Sequence, residues 1–128
     1  MRVLVDTHAL LWAVTGDRQL SKRAHAVMAS LDHEVLVSAV SVWEVCTKFR
    51  LGKLPDAESL VSDFSRIIER LGFHSLSISL EHAQRAGNLP GPHRDPFDRM
   101  LIAQAQAEDL SLVSNERLFD AYGVRRIW

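Results

Sequence analysis

The sequence predicts an α/β protein with a parallel sheet of four to five strands and helices on both faces of that sheet. Short, almost wholly apolar segments such as "RVLV" (2–5) and "EVLVSA" (34–39) have the composition of buried strands. Each is followed by a segment in which apolar residues recur at helical spacing. Apolar strands that alternate with helices form parallel sheets buried on both faces. In such sheets ligands bind beyond the carboxyl ends of the strands, where the strand order reverses.

The elements can be assigned in order along the chain. Strands are predicted over residues 2–5, 34–39, 74–79, 110–114 and 124–128. Helices are predicted over residues 7–15, 21–31, 41–52, 56–72, 80–89 and 96–109. Gly16 ends the first helix, Ser21 caps the second, and the alternating segment 74–79 is typical of an edge strand. Because no repeat, low-complexity tract or linker interrupts this order, we expect one domain over residues 1–128.

Composition narrows the class of protein. The chain has 128 residues, of which 47% are hydrophobic and 24% charged, and this is typical of a globular protein. Its net charge of −1 means that any anionic partner must be bound by a local patch or a bound cation. The single cysteine, Cys46, excludes an intrachain disulfide and a multi-cysteine zinc site. With no membrane-length apolar stretch and no signal-peptide pattern, we expect a cytoplasmic protein without a membrane partner.

Five acidic residues lie near the predicted carboxyl ends of the strands. Asp6 follows the first strand, and Glu44 is predicted in the first turn of the helix after the second strand. Asp95 and Asp98 begin the long helix, and Glu116 follows the fourth strand. Because the carboxyl ends of parallel strands meet at one edge, we expect these five acids to converge there.

Helix capping is the alternative interpretation of these acids. Ser41-x-x-Glu44 has the spacing of a capping box, while Asp95, Pro96 and Asp98 occupy the N-cap, N1 and N3 positions of a helix. A good cap stabilises by roughly 1 kcal/mol. Two carboxylates about 5 Å apart repel by about 3 kcal/mol at an effective dielectric constant near 20. Convergent acids therefore need a cation, and ligands that are all oxygen favour Mg²⁺ or Mn²⁺.

Five blocks cover nearly the whole chain: "LVDTHALLW", "VSAVSVWEV…K…RLGKL", "LPGPHRDPFDRMLIAQA", "LSLVSNERLF" and "YGVRRIW". In this order they closely resemble PIN-domain ribonucleases, specifically the VapC-type toxins of bacterial toxin–antitoxin pairs. The resemblance implies a PIN-like α/β/α sandwich and Mg²⁺- or Mn²⁺-dependent cleavage of RNA, leaving 5′-phosphate and 3′-hydroxyl ends. It also implies neutralisation by a small VapB-type antitoxin and a homodimer or higher toxin–antitoxin assembly.

The resemblance also implies which acids do the chemistry. Asp6 matches the family's first-strand acid, Glu44 its second-helix acid, and Asp98 the acid four residues before "IA". Asp95 matches the extra acid of the "RDPFDR" form, and these four are the expected catalytic residues. Glu116 stands where the family usually has Asp in a "T/S-x-D" context. Its longer side chain implies a fifth metal ligand that acts through water.

Further residues are candidates for substrate binding, each with a structural alternative. Thr7 would hydrogen-bond a metal ligand or the scissile phosphate, or cap the first helix. Arg94 and Arg99 would contact RNA phosphates, or pair with neighbouring acids. His93 adjoins these residues, and Asn115 is placed to orient the neighbouring glutamate. A further basic run predicts either a phosphate track or a solvated helix end, and comprises Lys48, Arg50 and Lys53.

Two other functions compete with a nuclease. A catalytically weak PIN scaffold would bind RNA or partners only; the retained acids argue against it, while the departure at Glu116 keeps it open. A phosphoacceptor receiver domain also has an acidic Mg²⁺ pocket, but it needs paired acids after the first strand and a lysine near the fifth. Asp6 stands alone, "HSLSIS" ends without an Asp, and no lysine follows Lys53.

Overall fold

The computed structural model describes residues 1–128, and its centre is a sheet of five parallel strands. The strands are β1 (Arg2–Val5), β2 (Glu34–Ser38), β3 (His74–Leu76), β4 (Ser111–Val113) and β5 (Arg126–Ile127). They lie in the order β3-β2-β1-β4-β5, and every neighbouring pair is parallel. The predicted fold class is confirmed. The alternating segment does form an edge strand, β3, which is largely exposed.

Helices connect the strands. They are α1 (Thr7–Thr15), α2 (Lys22–Ala29), α3 (Ala39–Arg50), α4 (Glu58–Ser62), α5 (Phe64–Arg70), α6 (Leu80–Asn88) and α7 (Pro96–Ala107). Two 3₁₀ helices, Pro55–Ala57 and Arg117–Tyr122, complete the fold. Ser21 caps α2 as predicted, and Gly16 ends α1 in the left-handed conformation. None of the helices combines the length and the hydropathy that crossing a membrane requires.

The predicted single helix over 56–72 is wrong, because the chain breaks at Asp63. There the backbone leaves the helical region, with φ −155° and ψ 71°, and the Asp63 side chain accepts a hydrogen bond from the backbone N–H of Arg66. An aspartate competes in this way with the helical hydrogen bonds and begins a new helix. The apolar stripe survives the break, since Leu60 on α4 and Ile68 on α5 are both buried in one core cluster.

Both faces of the sheet are covered, as β1 illustrates. Val3 and Val5 point into a cluster of 17 buried residues to which α1, α2, α4 and α5 contribute. Leu4, between them, points into a second cluster of 11 residues that includes Leu101 of α7 and Phe119. The side chains of a strand alternate between the two faces, so a strand buried on both is apolar throughout.

The strand order reverses between β1 and β4. The chain adds β2 and β3 on one side of β1, and β4 and β5 on the other. Val5 pairs with Val113, and the Asp6 backbone N–H donates to the Val113 carbonyl at 3.0 Å. Asp6 and Ser114, the residues that follow the two strands, therefore emerge next to each other at the carboxyl edge.

Candidate active site at the carboxyl edge of the sheet

Asp6 is buried at the start of α1, with 6% of its surface exposed. It is the N-cap of this helix, because its Oδ1 accepts a hydrogen bond from the Ala9 backbone N–H at 2.7 Å. Burial raises the pKa of Asp6, and the charge of Glu44 raises it further. Hydrogen bonds from Ser114 and Ala9, and the charge of His8, oppose this rise in pKa. Asp6 thus combines a capping role with a place beside a second acid.

Glu44 is not a cap, which corrects the predicted capping box. The helix α3 begins at Ala39, and its N-cap is Ser38, whose side chain accepts from the backbone N–H of Val40 at 3.0 Å. Its first turn contains no acid, so Ser41 and Glu44 both lie inside the helix. The serine that ends β2 already has the extended backbone of an N-cap and therefore takes this role before Ser41 does.

Glu44 is instead a buried carboxylate, 3% exposed, between two donors. The Thr7 hydroxyl donates to its Oε1 at 2.6 Å, and Lys48 donates to its Oε2. Thr7 Oγ1 also lies 3.1 Å from Ser41 Oγ, so this hydroxyl joins α1 to α3. Since Asp6 caps α1, the alternative that Thr7 caps it is wrong. Hydrogen bonding at both oxygens is what makes burial of a charged carboxylate tolerable.

The two acids at the start of α7 have different surroundings. Asp95 is the N-cap, and its Oδ1 accepts from the backbone N–H groups of Phe97 and Asp98 at 2.8 and 3.3 Å. Pro96 occupies the first helical position, as the sequence predicted. The Asp98 carboxylate does not bond the backbone. Its Oδ2 lies 2.9 Å from Nε2 of His93.

The surroundings of Asp98 disfavour the ionised form of its carboxyl group. Burial raises the pKa of Asp98 to about 7, and the charges of Asp95 and Glu44 contribute to the rise, while His93 opposes it. Glu44 also acts on the pKa of Asp6. The four acids expected to be catalytic are therefore close enough to influence one another, in the order Asp6, Glu44, Asp98 and Asp95.

Glu116 and Asn115 lie apart from this group. Glu116 caps the 3₁₀ helix Arg117–Tyr122, accepting from the Leu118 backbone N–H at 3.1 Å. Its charge acts on the pKa of Arg126 and is not among the charges that shift the pKa of Asp6. Asn115 is exposed. Glu116 is thus a half-buried helix cap outside the group of four acids.

The two arginines of the "HRDPFDRM" segment also differ. Arg94 is exposed and forms no ion pair with any acid. Arg99 is half-buried, and its guanidinium donates to three backbone carbonyls between α6 and α7. Neither arginine forms an ion pair with the neighbouring acids, so that structural alternative is wrong for both.

Two residues that contact the acids were not predicted to do so. Ser114 lies beside Asp6 and lowers its pKa, and Lys48 pairs with Glu44. The sequence carries a signal for each: Lys48 is four residues after Glu44, the spacing of a helical ion pair. Ser114 directly follows the strand that pairs with β1, so it had to emerge beside Asp6.

A row of aromatic rings begins beside Asp6. The ring of His8 lies 5.6 Å from that of Trp12, measured between centroids, and Trp12 lies 5.9 Å from Trp128. His8 is exposed, and the two tryptophans are partly buried. Through Trp12 and His8, the packing of Trp128 is thus linked to the acidic group.

The acids suit a divalent cation by their chemistry. Their ligand atoms are all carboxylate oxygens, which Mg²⁺ and Mn²⁺ prefer. Burial is the main cause of the raised pKa values of Asp6 and Asp98, and the charges of neighbouring acids add to both. As the side chains lie, however, no three His, Cys, Asp or Glu side chains converge closely enough to hold one ion. Both oxygens of Glu44 and one of Asp98 are engaged by protein donors. An ion bound to Glu44 would have to displace Lys48 or Thr7, whereas the second oxygen of Asp98 has no protein donor.

Comparison with known proteins gives the family. The model of the PIN domain family matches residues 3–124. A curated protein, Ribonuclease VapC16 of Mycobacterium tuberculosis, is 34% identical over 67 residues, which are 51% of this chain and 48% of that protein. The match therefore spans about half the length of this curated relative.

Solved structures agree with this fold. FitAcB from Neisseria gonorrhoeae has a TM-score of 0.70 at 22% identity over 98% of this chain and 96% of that chain. VapBC2 from Rickettsia felis, bound to a DNA fragment from its promoter, has a TM-score of 0.69 at 15% identity over 98% and 97%. VapC20 of Mycobacterium tuberculosis, described as a sarcin-ricin loop cleaving toxin, has a TM-score of 0.65 at 16% identity over 95% of each chain. The family match over almost the whole sequence excludes a receiver domain: this chain belongs to the PIN domain family.

Proposed function

We propose that this protein is a metal-dependent endoribonuclease that acts in the cytoplasm as the toxin of a toxin–antitoxin pair. Its membership of the PIN domain family supports this, as does the relative named as a ribonuclease. The observation that carries the proposal is the group of carboxylates Asp6, Glu44 and Asp98, of which the first two are buried and the third is half-buried. Three different elements bring them to the point where the strand order reverses. Acids that repel one another in a partly desolvated site cost stability in the metal-free fold, and a bound cation would offset that cost.

Each acid has a distinct part in the proposed site. Asp6, Glu44 and Asp98 would hold Mg²⁺ or Mn²⁺, while Asp95 adds negative charge and starts α7. Glu116 would contribute through a water molecule. When bound, a divalent ion lowers the pKa of a water molecule and offsets the charge of the phosphodiester under attack.

The remaining residues orient the acids. Thr7 fixes Oε1 of Glu44, and Ser114 fixes Asp6. Lys48 lies at the half-buried margin of the site, where its Nζ is 5.7 Å from the centre of the Phe97 ring. If Glu44 held an ion in place of Lys48, the ammonium group of this lysine would be free to contact an RNA phosphate. Arg94 and Asn115 stay candidates for substrate contact at the exposed rim.

The activity is tested with purified protein and a labelled RNA of mixed sequence. We expect cleavage with Mg²⁺ or Mn²⁺, products with 5′-phosphate and 3′-hydroxyl ends, and no cleavage in EDTA. An Asp98→Asn preparation made in parallel controls for contaminating nuclease. Cleavage that continues undiminished in EDTA contradicts the metal mechanism, and a folded, ion-binding protein that cuts no RNA favours the scaffold alternative.

The toxin role has a separate test in cells. We expect induced expression of the chain to arrest growth and degrade RNA, whereas the Asp98→Asn variant does neither. Co-expression with a small VapB-type antitoxin should restore growth, and the two chains should co-purify in an assembly that contains two or more copies of the toxin. Normal growth with intact RNA, while the folded protein accumulates, contradicts this role.

A further inference from the structure

The side chain of Arg99 donates hydrogen bonds to three backbone carbonyls in and beside the connection between α6 and α7. Nη2 of Arg99 donates to the carbonyl of Ala86 at 3.1 Å and to that of Leu89, and Nη1 donates to the carbonyl of His93 at 2.9 Å. Ala86 and Leu89 lie at the end of α6, where carbonyls lack the usual partner one turn further on. Besides Arg99, the Ala86 carbonyl accepts only a long hydrogen bond, 3.5 Å, from the Leu89 backbone N–H. The planar guanidinium has donors in a fixed fork, so one arginine can satisfy carbonyls from both ends of this loop.

Tyr122 holds the same loop from the opposite side. Its hydroxyl accepts a hydrogen bond from the His93 backbone N–H at 3.1 Å. Gly91 has φ +103°, and a Cβ at this position would lie 2.6 Å from the Tyr122 hydroxyl oxygen. A side chain at residue 91 would therefore meet both backbone strain and a clash. Contacts with Arg99 and with Tyr122 therefore restrict the path of the loop.

This path determines where the imidazole of His93 lies. Its Nε2 is 2.9 Å from Oδ2 of Asp98, and the ring is only about one-tenth exposed. The other oxygen of the Asp98 carboxylate accepts no hydrogen bond from the protein. Arg99 directly follows Asp98 in α7, so a single turn of helix presents the acid and also holds the loop that carries its partner.

We infer that Arg99 is a positioning residue for the active site. By tying the α6–α7 loop to the first turn of α7, it places His93 so that one oxygen of Asp98 is committed and the other stays available to an ion. Arg99 acts through His93 and does not contact RNA. This inference rests on the proposed nuclease function, and it assigns Arg99 a role different from the phosphate contact that the sequence suggested.

Two substitutions of Arg99 test the role by kinetics. Arg99→Met keeps the aliphatic stem and removes every donor, whereas Arg99→Lys keeps the charge without the fork. We expect Arg99→Met to lower kcat about 10- to 100-fold, the usual effect of losing a residue that orients a metal ligand. Arg99→Lys should rescue only part of this loss. The KM for RNA and its dependence on salt should stay those of the parent, because no phosphate contact is removed.

The matched control is Arg85→Met. Arg85 lies on α6 and pairs at 3.6 Å with the exposed Glu81, so this variant also removes one positive charge near the loop but none of its hydrogen bonds. We expect its kcat and KM to equal those of the parent. If Arg99→Met raises KM and flattens the salt dependence while kcat is unchanged, Arg99 is a phosphate contact and the inference is wrong.

A structural readout on the metal-free protein separates the inference from the proposed function. In ¹⁵N NMR spectra, Arg99→Met should shift the imidazole nitrogens of His93 towards those of a free histidine and speed the hydrogen exchange of its backbone amide. Tyr122→Phe, which removes only the hydroxyl, should produce the same changes to a smaller extent. Arg85→Met should produce neither.

These spectra decide the inference even if the parent cuts no RNA, a result that would defeat only the proposed function. Parent-like His93 signals in a folded Arg99→Met protein overturn the positioning role. Should Arg99→Met not fold, the milder Tyr122→Phe and Arg99→Lys variants decide by the same signals.

Discussion

Asp98 and Asp120 show how differently the same side chain can be used in one protein. Asp120 lies on the surface and accepts two hydrogen bonds from Arg126, at 2.9 and 3.1 Å. These bonds hold the pKa of Asp120 below its usual range and raise the pKa of Arg126. Asp98 has no arginine partner, and burial together with neighbouring acids raises its pKa to about 7.

The difference separates a charge that is compensated within the fold from one that is not. The Asp120–Arg126 pair is complete without a ligand. Around Asp98, the charges of Asp95 and Glu44 oppose the ionised state, and only His93 favours it. A site of this kind is stabilised by an added cation, so the two regions should respond differently to mutation, pH and metal.

The largest expected effect is on catalysis. Asp98→Asn and Asp6→Asn should each lower RNA cleavage at least about 100-fold, because each removes charge where the transition state needs a metal ion held. Asp120→Asn, the matched control, should cleave at the parent rate. Cleavage is measured with excess Mg²⁺ on proteins shown by circular dichroism to be folded. If the Asp98→Asn protein still cleaves RNA at the parent rate, Asp98 has no catalytic role and does not differ from Asp120 in function.

The pH dependence of stability should also distinguish the two aspartates. Folded Asp98 binds a proton up to about pH 7, whereas the unfolded chain releases it near its ordinary value of 3.8. Between these values the folded state binds more protons, so the free energy of unfolding should fall as pH rises from about 4 to about 7. A pKa difference of this size corresponds to a few kcal/mol, at most about 4.

Urea unfolding in EDTA at several pH values measures this fall. Asp98→Asn should largely remove it, so this variant should match the parent near pH 4 and exceed it in stability near pH 8. Excess Mg²⁺ should stabilise the parent at pH 8, and the variant much less. Parallel pH profiles of parent and Asp98→Asn would show that the acid is not under electrostatic opposition.

A smaller effect, on the affinity for Mg²⁺, is expected from substituting Lys48, which forms an ion pair with Glu44. Lys48→Met should bind Mg²⁺ several-fold more tightly, since a partly buried ion pair that contributes about 1 kcal/mol no longer competes with the ion. The metal-free variant should be less stable, because Glu44 loses its counter-charge. Calorimetric titration with Mg²⁺ measures the affinity, and the exposed Lys53→Met is the control. Weaker Mg²⁺ binding by Lys48→Met would show that the lysine supports the ion site.

The smallest effect concerns Asp120 itself. Asp120→Asn should lower Tm slightly at neutral pH, and less in high salt, because an exposed ion pair is screened. Since the pKa of Asp120 is lowered in the fold, its contribution is present above the unfolded value of 3.8 and lost as pH falls through the folded value. The Tm difference should therefore vanish in acid. A difference that persists there would indicate a packing role for Asp120.

Burial explains why the sheet was predictable and some helix boundaries were not. The run "RVLV" has no polar interruption, and β1 occupies those four residues. In "SAVS", either Ser38 or Ser41 has the chemistry of an N-cap, and only the position at which β2 stops decides between them. At Asp63 the apolar spacing continues on both sides. The periodicity therefore gives no sign that the helix is interrupted there by a single capping side chain.

The site divides in the same way between local and long-range features. Asp95 could be placed as an N-cap because the cap, the proline and the second acid follow one another in the local sequence. At α1 the local sequence offered both Asp6 and Thr7, and the cap is Asp6, not the predicted Thr7. The contacts of Arg99 could not, since its partners are carbonyls whose positions depend on the path of a loop ending in "PGPH". The bond between His93 and Asp98 depends on that same path.

The packing of His8, Trp12 and Trp128 gives the protein an optical probe of its own. The chain has three tryptophans, and Trp43 alone lies outside this row. In a Trp43→Phe protein, all indole emission would come from Trp12 and Trp128, one of which touches a histidine whose charge acts on Asp6. Indole emission responds to nearby charge, so loading of the acidic group could be followed by fluorescence in real time, without an attached dye or an RNA substrate.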